Sequence, residues 1–178
     1  MILQFLDLRL ESIKKKDLEF LRILRNNNRK VLKDTREISF EEQINWFNNL
    51  DLQKRKYLLI SRGGKKVGFI YAKIIKLGES LETGILIAEE YKSSSSVVLA
   101  ALMMSYHFLI NLKFDKLQAL VHKENKEALL FNSQLGFIEA SREKQFVFLQ
   151  MDLENFKRKN AKLLEKLDLE KNLRVQVG

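Results

Sequence analysis

The sequence contains no cysteine and no proline, and it has only two histidines and seven glycines in 178 residues. The absence of cysteine excludes a disulfide framework, a thiolate metal site and a cysteine nucleophile, and it favours a cytoplasmic location. Long apolar runs are also missing, because polar residues such as Ser105 and Asn111 interrupt the longest one, residues 97–112. That run predicts a buried helix rather than a membrane span.

The first segment, residues 1–11, lacks the apolar core of a secretory signal, since Asp7 and Arg9 lie within it. The 32 lysine and arginine residues outnumber the 23 aspartate and glutamate residues, which gives a formal net charge of +9. A basic surface suits partners that carry phosphate. No nucleic-acid motif accompanies the charge, and an AT-rich genome would produce this abundance of lysine and asparagine without selection for a nucleic-acid partner. We therefore expect neither nucleic acid nor a membrane as the partner.

The length fits one domain, and 46% hydrophobic residues suffice for a packed core. We expect a body of residues 1–152 and a helical tail of residues 153–178. In the tail, Leu163, Leu164 and Leu167 lie among many lysines and glutamates. This pattern predicts a solvated helix that docks on one edge of the domain or pairs with a partner, such as a second copy in a homodimer.

Hydrophobic periodicity predicts alternating strands and helices along the body. Strands are expected at residues 2–10, 57–61, 67–75, 81–88 and 117–122, with a strand pair within 137–151. Helices are expected after Asp17, after Ser39, from about Val97, and at residues 124–134. We therefore predict an α/β (or α+β) domain with a mixed, mostly antiparallel sheet of about seven strands, about four flanking helices and an extra C-terminal helix.

The most specific pattern lies in residues 125–137, which contain Asn125, Ala128, Phe131, Asn132, Leu135, Gly136 and Phe137. Their spacing resembles the signature Asn-x-x-Ala-x-x-hydrophobic-Tyr-x-x-hydrophobic-Gly-Phe of the GNAT superfamily of N-acetyltransferases. The resemblance implies a GNAT-like sheet domain, acetyl-CoA as the acyl donor, no metal, and direct transfer of an acetyl group to an amine.

A second resemblance lies in residues 25–47. Arg25, Asn26, Gln43 and Trp46 look like positions of the GNAT subgroup that acetylates nucleotide-linked amino sugars, as in the pseudaminic-acid pathway, where a histidine is common in place of Gln43. The resemblance implies that these four residues bind the acceptor, a UDP-linked amino-dideoxy sugar. Protein N-termini and other small amines are the alternative acceptors, and a catalytically silent GNAT-fold binding module is the alternative outside the enzymes.

The pyrophosphate loop of the superfamily, Arg/Gln-x-x-Gly-x-Gly/Ala, corresponds here to Lys92, Ser93, Ser94, Ser95 and Ser96. Backbone N–H groups at a helix N-terminus bind the diphosphate, and serine keeps these donors. A glycine-type backbone conformation at a serine would cost roughly 1 kcal/mol or more. The resemblance further implies that backbone N–H groups near Leu86 and Ile87 hold the thioester oxygen. Asn125 holds the pantetheine arm or serves only as a helix N-cap.

The acid and base of the reaction remain open at the level of the sequence. Asn132 stands where many relatives have a tyrosine that protonates the departing thiolate, so Tyr106 or water is the candidate acid and Asn132 a hydrogen-bond donor to sulfur. Glu82 and His122 are the candidate bases. Each also has a structural alternative, as a solvent-facing strand residue and a packed histidine respectively.

Overall fold

One mixed sheet of nine strands organises the computed structural model, which describes residues 1–177. The strands are β1 (Ile2–Phe5), β2 (Leu8–Ser12), β3 (Arg55–Arg62), β4 (Lys65–Lys76), β5 (Ser80–Ile87), β6 (Lys116–His122), β7 (Ile138–Arg142), β8 (Phe146–Asp152) and β9 (Arg174–Gln176). Their order across the sheet is β7-β8-β6-β5-β4-β3-β2-β1-β9. Neighbouring strands are antiparallel except β5 and β6, which are parallel and therefore need a crossover connection.

In residues 1–177, six α-helices flank the sheet. They are α1 (Leu18–Asn27), α2 (Phe40–Asn48), α3 (Ser95–Tyr106), α4 (Lys126–Leu135), α5 (Leu153–Leu167) and α6 (Leu169–Asn172). Ser39 and Glu42 form the capping box expected before α2, because the Glu42 N–H donates to Ser39 Oγ at 3.1 Å and the Ser39 N–H donates to Glu42 Oε2 at 2.7 Å. Among residues 1–177, no helix is long and apolar enough to cross a membrane.

The fold class agrees with the sequence prediction, but the number of elements was underestimated. The single strand predicted at residues 2–10 is wrong, because β1 and β2 form a tight hairpin in which Leu6 has a positive φ of 51° and is 77% exposed. The turn could not be predicted, because the alternating leucines Leu6, Leu8 and Leu10 continue through it. The ninth strand, β9, comes from the C-terminal tail, where Val175 pairs with Leu3 of β1. With α6, the helices number six rather than about five.

Two hydrophobic clusters lie on opposite faces of the sheet. The larger cluster packs α3 and α5 on one face and includes Met103 and Phe156, both with no exposed surface. The smaller cluster packs α1 and α2 against β3, β4 and β5, with Leu21, Leu24 and Phe69 at its centre. Both clusters stabilise the central strands, so the sheet is packed on both faces.

The C-terminal tail packs onto the helix that carries the signature motif. Asn160 in α5 is buried and donates from its side-chain amide to the carbonyls of Leu135, at 2.7 Å, and Phe156, at 2.8 Å. A Cβ atom added to Gly136, which has a φ of 116°, would lie 2.9 Å from the Asn155 carbonyl oxygen. Glycine therefore both ends α4 in a left-handed conformation and admits α5.

Candidate active site

A fork between β5 and β6 opens the sheet near its middle. The two strands pair only where Ser80, Leu81 and Glu82 face residues 116–118, and then they separate. At the point of separation, Thr83 Oγ1 donates to the carbonyl of Gln118 at 3.2 Å. A cavity of about 330 Å³ fills the opening beyond this bond. Strands that diverge in this way leave backbone groups unpaired on both sides.

On the β5 side, two residues present their backbone to the opening. The Ala88 N–H donates to the carbonyl of Val67 at 2.9 Å, so Ala88 faces β4. Since backbone groups alternate in direction along a strand, Leu86 also faces β4, whereas Ile85 and Ile87 direct their N–H and C=O groups into the fork. Leu86 lines the cavity and packs against the smaller cluster, and the backbone donors available to a ligand are those of Ile85 and Ile87.

On the β6 side, backbone groups also point into the fork. The Lys116 N–H donates to the carbonyl of Glu79 at 3.0 Å. The backbone N–H and C=O groups of the even-numbered residues of β6 therefore point toward β5. Leu120 and His122 therefore direct their backbone groups into the fork, where β5 no longer reaches them. Both residues line the cavity. The opening thus has free backbone groups along both edges, and an extended chain that enters it can pair with them.

The serine loop, residues 92–96, lies where β5 crosses over into α3. Ser94 is the N-cap of α3, and its Oγ accepts from the Ser96 N–H at 3.1 Å. None of residues 92–96 has a positive φ. The loss of glycine from the loop therefore costs no backbone strain. Within residues 1–177, no protein group accepts from the N–H groups of Ser93 and Ser95, so both are available to an anion.

Arg62, at the end of β3, holds the serine loop in place. Its Nη1 donates to Ser95 Oγ at 3.2 Å and to Ser96 Oγ at 3.1 Å, while its Nε donates to Asp7 Oδ2 at 3.0 Å. The guanidinium group thereby adds positive charge at the N-terminus of α3, where the helix dipole already favours an anion. Lys92 lines the cavity but pairs with Glu89 at 2.6 Å. Sequence reasoning missed Arg62 because it lies 33 residues before Ser95.

Glu82 and Tyr71 form a hydrogen-bonded pair beside the fork. Tyr71 Oη donates to Glu82 Oε1 at 3.4 Å, and the Tyr71 ring stacks on Tyr57 with centroids 5.3 Å apart. Burial, together with the negative charge of Glu82, raises the pKa of Tyr71 well above its usual range. Tyr71 therefore remains a protonated donor to the carboxylate. A Cβ atom added to Gly84 would lie 2.4 Å from Tyr71 Cε1, so glycine at this position allows the tyrosine to lie against β5.

Tyr57 and Tyr71 were not predicted, because a bulge shifts the hairpin that brings them together. Gly63 and Gly64 do form the predicted turn between β3 and β4. The register slips by one residue after Ile60, however, so that Tyr57 lies opposite Tyr71 rather than opposite Ile70. A count outward from the turn would have placed the two rings on opposite faces.

His122, Asn125 and Asn132 line the cavity on the far side of the fork. His122 Nδ1 accepts from the Glu124 N–H at 3.3 Å, so the neutral ring carries its proton on Nε2 and presents a donor there. Asn125 Oδ1 accepts from the Ala128 N–H at 3.1 Å and caps α4. Asn132 donates one amide N–H to the Ala128 carbonyl at 2.8 Å and keeps a second.

The remaining predicted site residues lie outside the lining of the cavity. Tyr106 packs on the side of the C-terminal tail, where burial and the carboxylates of Glu170 and Asp168 raise its pKa. Gln43 is buried in α2, and Trp46 packs edge-on against Tyr57 with centroids 4.8 Å apart.

Arg25 and Asn26 fasten the segment between α1 and α2. Arg25 donates to the carbonyls of Asp34 and Arg36, while the Asn26 amide donates to the Ile38 carbonyl at 2.9 Å and accepts from the Ile38 N–H at 3.1 Å. Three residues at the start of this segment, Asn28, Val31 and Leu32, line the cavity. Arg25 and Asn26 thus shape the wall indirectly. Among residues 1–177, no group of His, Asp and Glu side chains is placed to hold a metal ion.

Neither a family profile nor a curated protein sequence matches the chain. Solved structures resemble it closely in fold. Apo FdhC, described as a nucleotide-linked sugar GNAT, matches with a TM-score of 0.79 and 19% identity over 94% of this chain and 98% of that chain. A mutant of spermidine N-acetyltransferase SpeG from Vibrio cholerae matches with a TM-score of 0.72 and 19% identity over 88% and 98%. RimL, a ribosomal L7/L12 alpha-N-protein acetyltransferase, matches with a TM-score of 0.76 and 13% identity over 86% and 94%.

Proposed function

We propose that this chain, which has the GNAT fold, is an enzyme that moves an acetyl group from acetyl-CoA to the amino group of a UDP-linked amino-dideoxy sugar. The fork between β5 and β6 carries the proposal. Its unpaired backbone edges border a cavity of about 330 Å³ next to the serine loop. A pantetheine arm is an extended chain of amides that suits such edges, and a diphosphate suits the loop.

The residues around the fork fit the acyl donor, which is a substrate of the reaction. The N–H groups of Ser93 and Ser95, with Arg62 behind them, would hold the diphosphate. The N–H group of Ile85 or Ile87 would hold the thioester oxygen, where negative charge develops during attack by the amine. Both donors belong to a strand of the sheet, so they need little reorganisation.

Glu82 is the group that we assign as the base. The acceptor must lose an ammonium proton before its nitrogen can bond to the carbonyl carbon, and a carboxylate held by Tyr71 can take that proton directly or through one water. His122 is less suited to this role, since the neutral ring presents a donor at Nε2. As the C–N bond forms, the C–S bond breaks and the electron pair leaves on sulfur.

Asn132 would stabilise the departing sulfur without protonating it. Its second amide N–H is uncommitted and lies in the cavity wall, and a thiolate accepts such a hydrogen bond. Tyr106 is unsuited to the role of acid, because it packs beside Asp168 and Glu170. The proton that restores the free thiol therefore comes from water. This assignment accounts for a GNAT site that works without the usual tyrosine.

Three observations support a nucleotide-linked sugar as the acceptor. The net charge of +9 suits a diphosphate-bearing molecule better than a polyamine. The aromatic residues Trp46, Tyr57 and Tyr71 lie in contact beside Glu82, as sugar-binding sites often require. The nucleotide-linked sugar GNAT named above resembles the chain over 94% of its length.

A thiol-release assay tests the proposal. Purified protein with acetyl-CoA is given three sets of amines: UDP- and dTDP-linked amino sugars, spermidine, and peptides with free N-termini. We expect release of CoA thiol at the highest kcat/KM with a nucleotide-linked amino sugar. Faster turnover of spermidine or of a peptide would overturn the acceptor assignment, and no release with any amine would overturn the enzymatic function.

A further inference from the structure

One patch of the sheet next to the fork is covered by neither hydrophobic cluster. Leu120, Phe146 and Phe148 are only partly buried, and none of them belongs to the cluster under α3 and α5 or to the cluster under α1 and α2. Leu120 lies opposite Phe148, and His122 lies opposite Phe146, with ring centroids 5.3 Å apart. We call these four side chains the aromatic shelf.

Two amides border the aromatic shelf on the side of Glu82. Gln118 and Gln150 are register partners two residues before Leu120 and two residues after Phe148, so they lie on the same face of the sheet. Within residues 1–177, neither side-chain amide makes a hydrogen bond. Aromatic rings beside free amides are the groups that recognise a planar heterocycle, through stacking on its face and hydrogen bonds to its edge.

The size of the aromatic shelf argues against a second copy of the chain as its occupant. Two strands at a spacing of about 4.8 Å and five residues at about 3.3 Å give an area of about 160 Å². A stable dimer interface buries about 800 Å² on each partner. The shelf therefore fits a small molecule, and it is continuous with the cavity, since Leu120 and His122 belong to both.

The position of the aromatic shelf relative to Glu82 fits the length of a nucleotide-linked acceptor. Glu82 lies in register with Gln118, which lies in register with Gln150, so Phe148 is two strands away and two residues along. Sheet geometry places its Cα about 12 Å from that of Glu82. A ribose and two phosphates can bridge this separation between a sugar amine at the base and a heterocycle on the shelf.

We propose that the aromatic shelf binds the heterocyclic base of the acceptor nucleotide, with Phe148 as the stacking platform and Gln118 and Gln150 as hydrogen-bonding groups. This inference rests on the proposed acceptor class, and it assigns the recognition of the nucleotide to β6 and β8. The sugar is then oriented by its nucleotide, so the amine reaches Glu82 in one geometry.

Free UDP and dTDP are the probes that test the aromatic shelf apart from catalysis. Isothermal titration should show that each binds the wild-type protein. Phe148→Leu keeps an apolar side chain but removes the ring, and we expect it to raise the Kd of both nucleotides about tenfold. Phe148→Tyr, the matched control, should retain wild-type affinity. If both variants keep the wild-type thermal stability, a loss of nucleotide affinity in Phe148→Leu reflects lost stacking on the nucleotide and not altered packing of the protein.

The outcomes distinguish the shelf from the proposed function. Acetyl transfer to nucleotide-linked sugars with equal kcat/KM in wild type and Phe148→Leu would overturn the shelf and leave the function intact. Nucleotide binding that depends on the Phe148 ring, without acetyl transfer to any nucleotide-linked sugar, would support the shelf and overturn the function. Dissociation of a wild-type dimer by Phe148→Leu in sedimentation velocity would identify the patch as an interface between copies and overturn the shelf.

Discussion

At the scale of single residues, Glu82, Tyr71 and Gly84 depend on one another beside the fork. Glu82 accepts from Tyr71, and Tyr71 fits against β5 because residue 84 is glycine. The sequence offered Glu82 as a candidate base. It could not indicate Tyr71, because the bulge after Ile60 sets which face of β4 meets Tyr57. The pairing of Tyr57 with Tyr71 depends on the register of the folded hairpin, which the sequence does not contain.

Replacement of Glu82, the proposed general base, should remove most of the acetyltransferase activity. Glu82→Gln preserves the shape of the side chain and the hydrogen bond from Tyr71 but cannot take a proton. We expect kcat to fall about 10²-fold or more, with an unchanged Kd for acetyl-CoA. Glu79→Gln is the control that should keep full activity, because Glu79 lies in the turn between β4 and β5 and pairs with Lys76. Equal activity of Glu82→Gln and wild type would assign the proton transfer elsewhere.

His107 gives the stability of the protein a pH dependence. Its side chain is buried, its Nδ1 has no hydrogen-bond partner among residues 1–177, and burial lowers its pKa. Below about pH 6.5, the unfolded chain binds a proton that the folded chain resists, so the free energy of unfolding contributed by this group falls as the pH falls. Urea denaturation between about pH 7 and 5 should show a slope with pH that is smaller in His107→Leu. An identical slope in both proteins would contradict this account.

At the scale of elements, the serine loop is held by side-chain hydrogen bonds and contains no glycine. Ser94 caps α3, Arg62 binds the hydroxyl groups of Ser95 and Ser96, and the backbone stays in ordinary conformations. The sequence predicted the loop and its helix from the run of serines before an apolar segment. The expected strain is absent, because none of residues 92–96 has a positive φ, and only the folded backbone reveals which φ values the loop needs.

A negative charge in the serine loop should weaken binding of the donor. Ser95→Asp places a carboxylate where the diphosphate would lie and pairs it with Arg62, so we expect the Kd of CoA to rise about tenfold or more. Ser95→Asn, which has the same shape without the charge, is the control. The Kd of pantetheine, which lacks the diphosphate, should change little in either variant. Unchanged CoA affinity in Ser95→Asp would refute the placement of the diphosphate.

At the scale of the whole molecule, the C-terminal tail adds a strand beside β1 and packs against α4, the helix that carries the signature motif. The strand from the tail pairs with β1, and α5 contacts the C-terminal end of α4 through Asn160. Charge and leucine spacing predicted a docked or paired helix within residues 153–178, and α5 lies within this range. The short β9 had no signal in the sequence, because three residues are too few for a period and their partners in β1 lie 170 to 174 residues earlier.

Loss of the tail's buried side chain should destabilise the whole domain. Phe156 has no exposed surface and lies in the larger cluster. Phe156→Ala leaves a cavity there, and we expect it to lower the free energy of unfolding by about 3–5 kcal/mol, measured by urea denaturation. Leu163→Ala, at a position 41% exposed on the same helix, should cost far less. Equal effects of the two substitutions would show that α5 does not share the core.

The central claim is that the fork and the serine loop form an acetyl-CoA site, and isothermal titration of the purified protein with acetyl-CoA tests it most directly. We predict saturable binding of one acetyl-CoA per chain, which Ser95→Asp weakens and Glu82→Gln leaves unchanged. No detectable binding at high micromolar acetyl-CoA would contradict the account, because a GNAT fold that does not bind the donor cannot transfer its acetyl group.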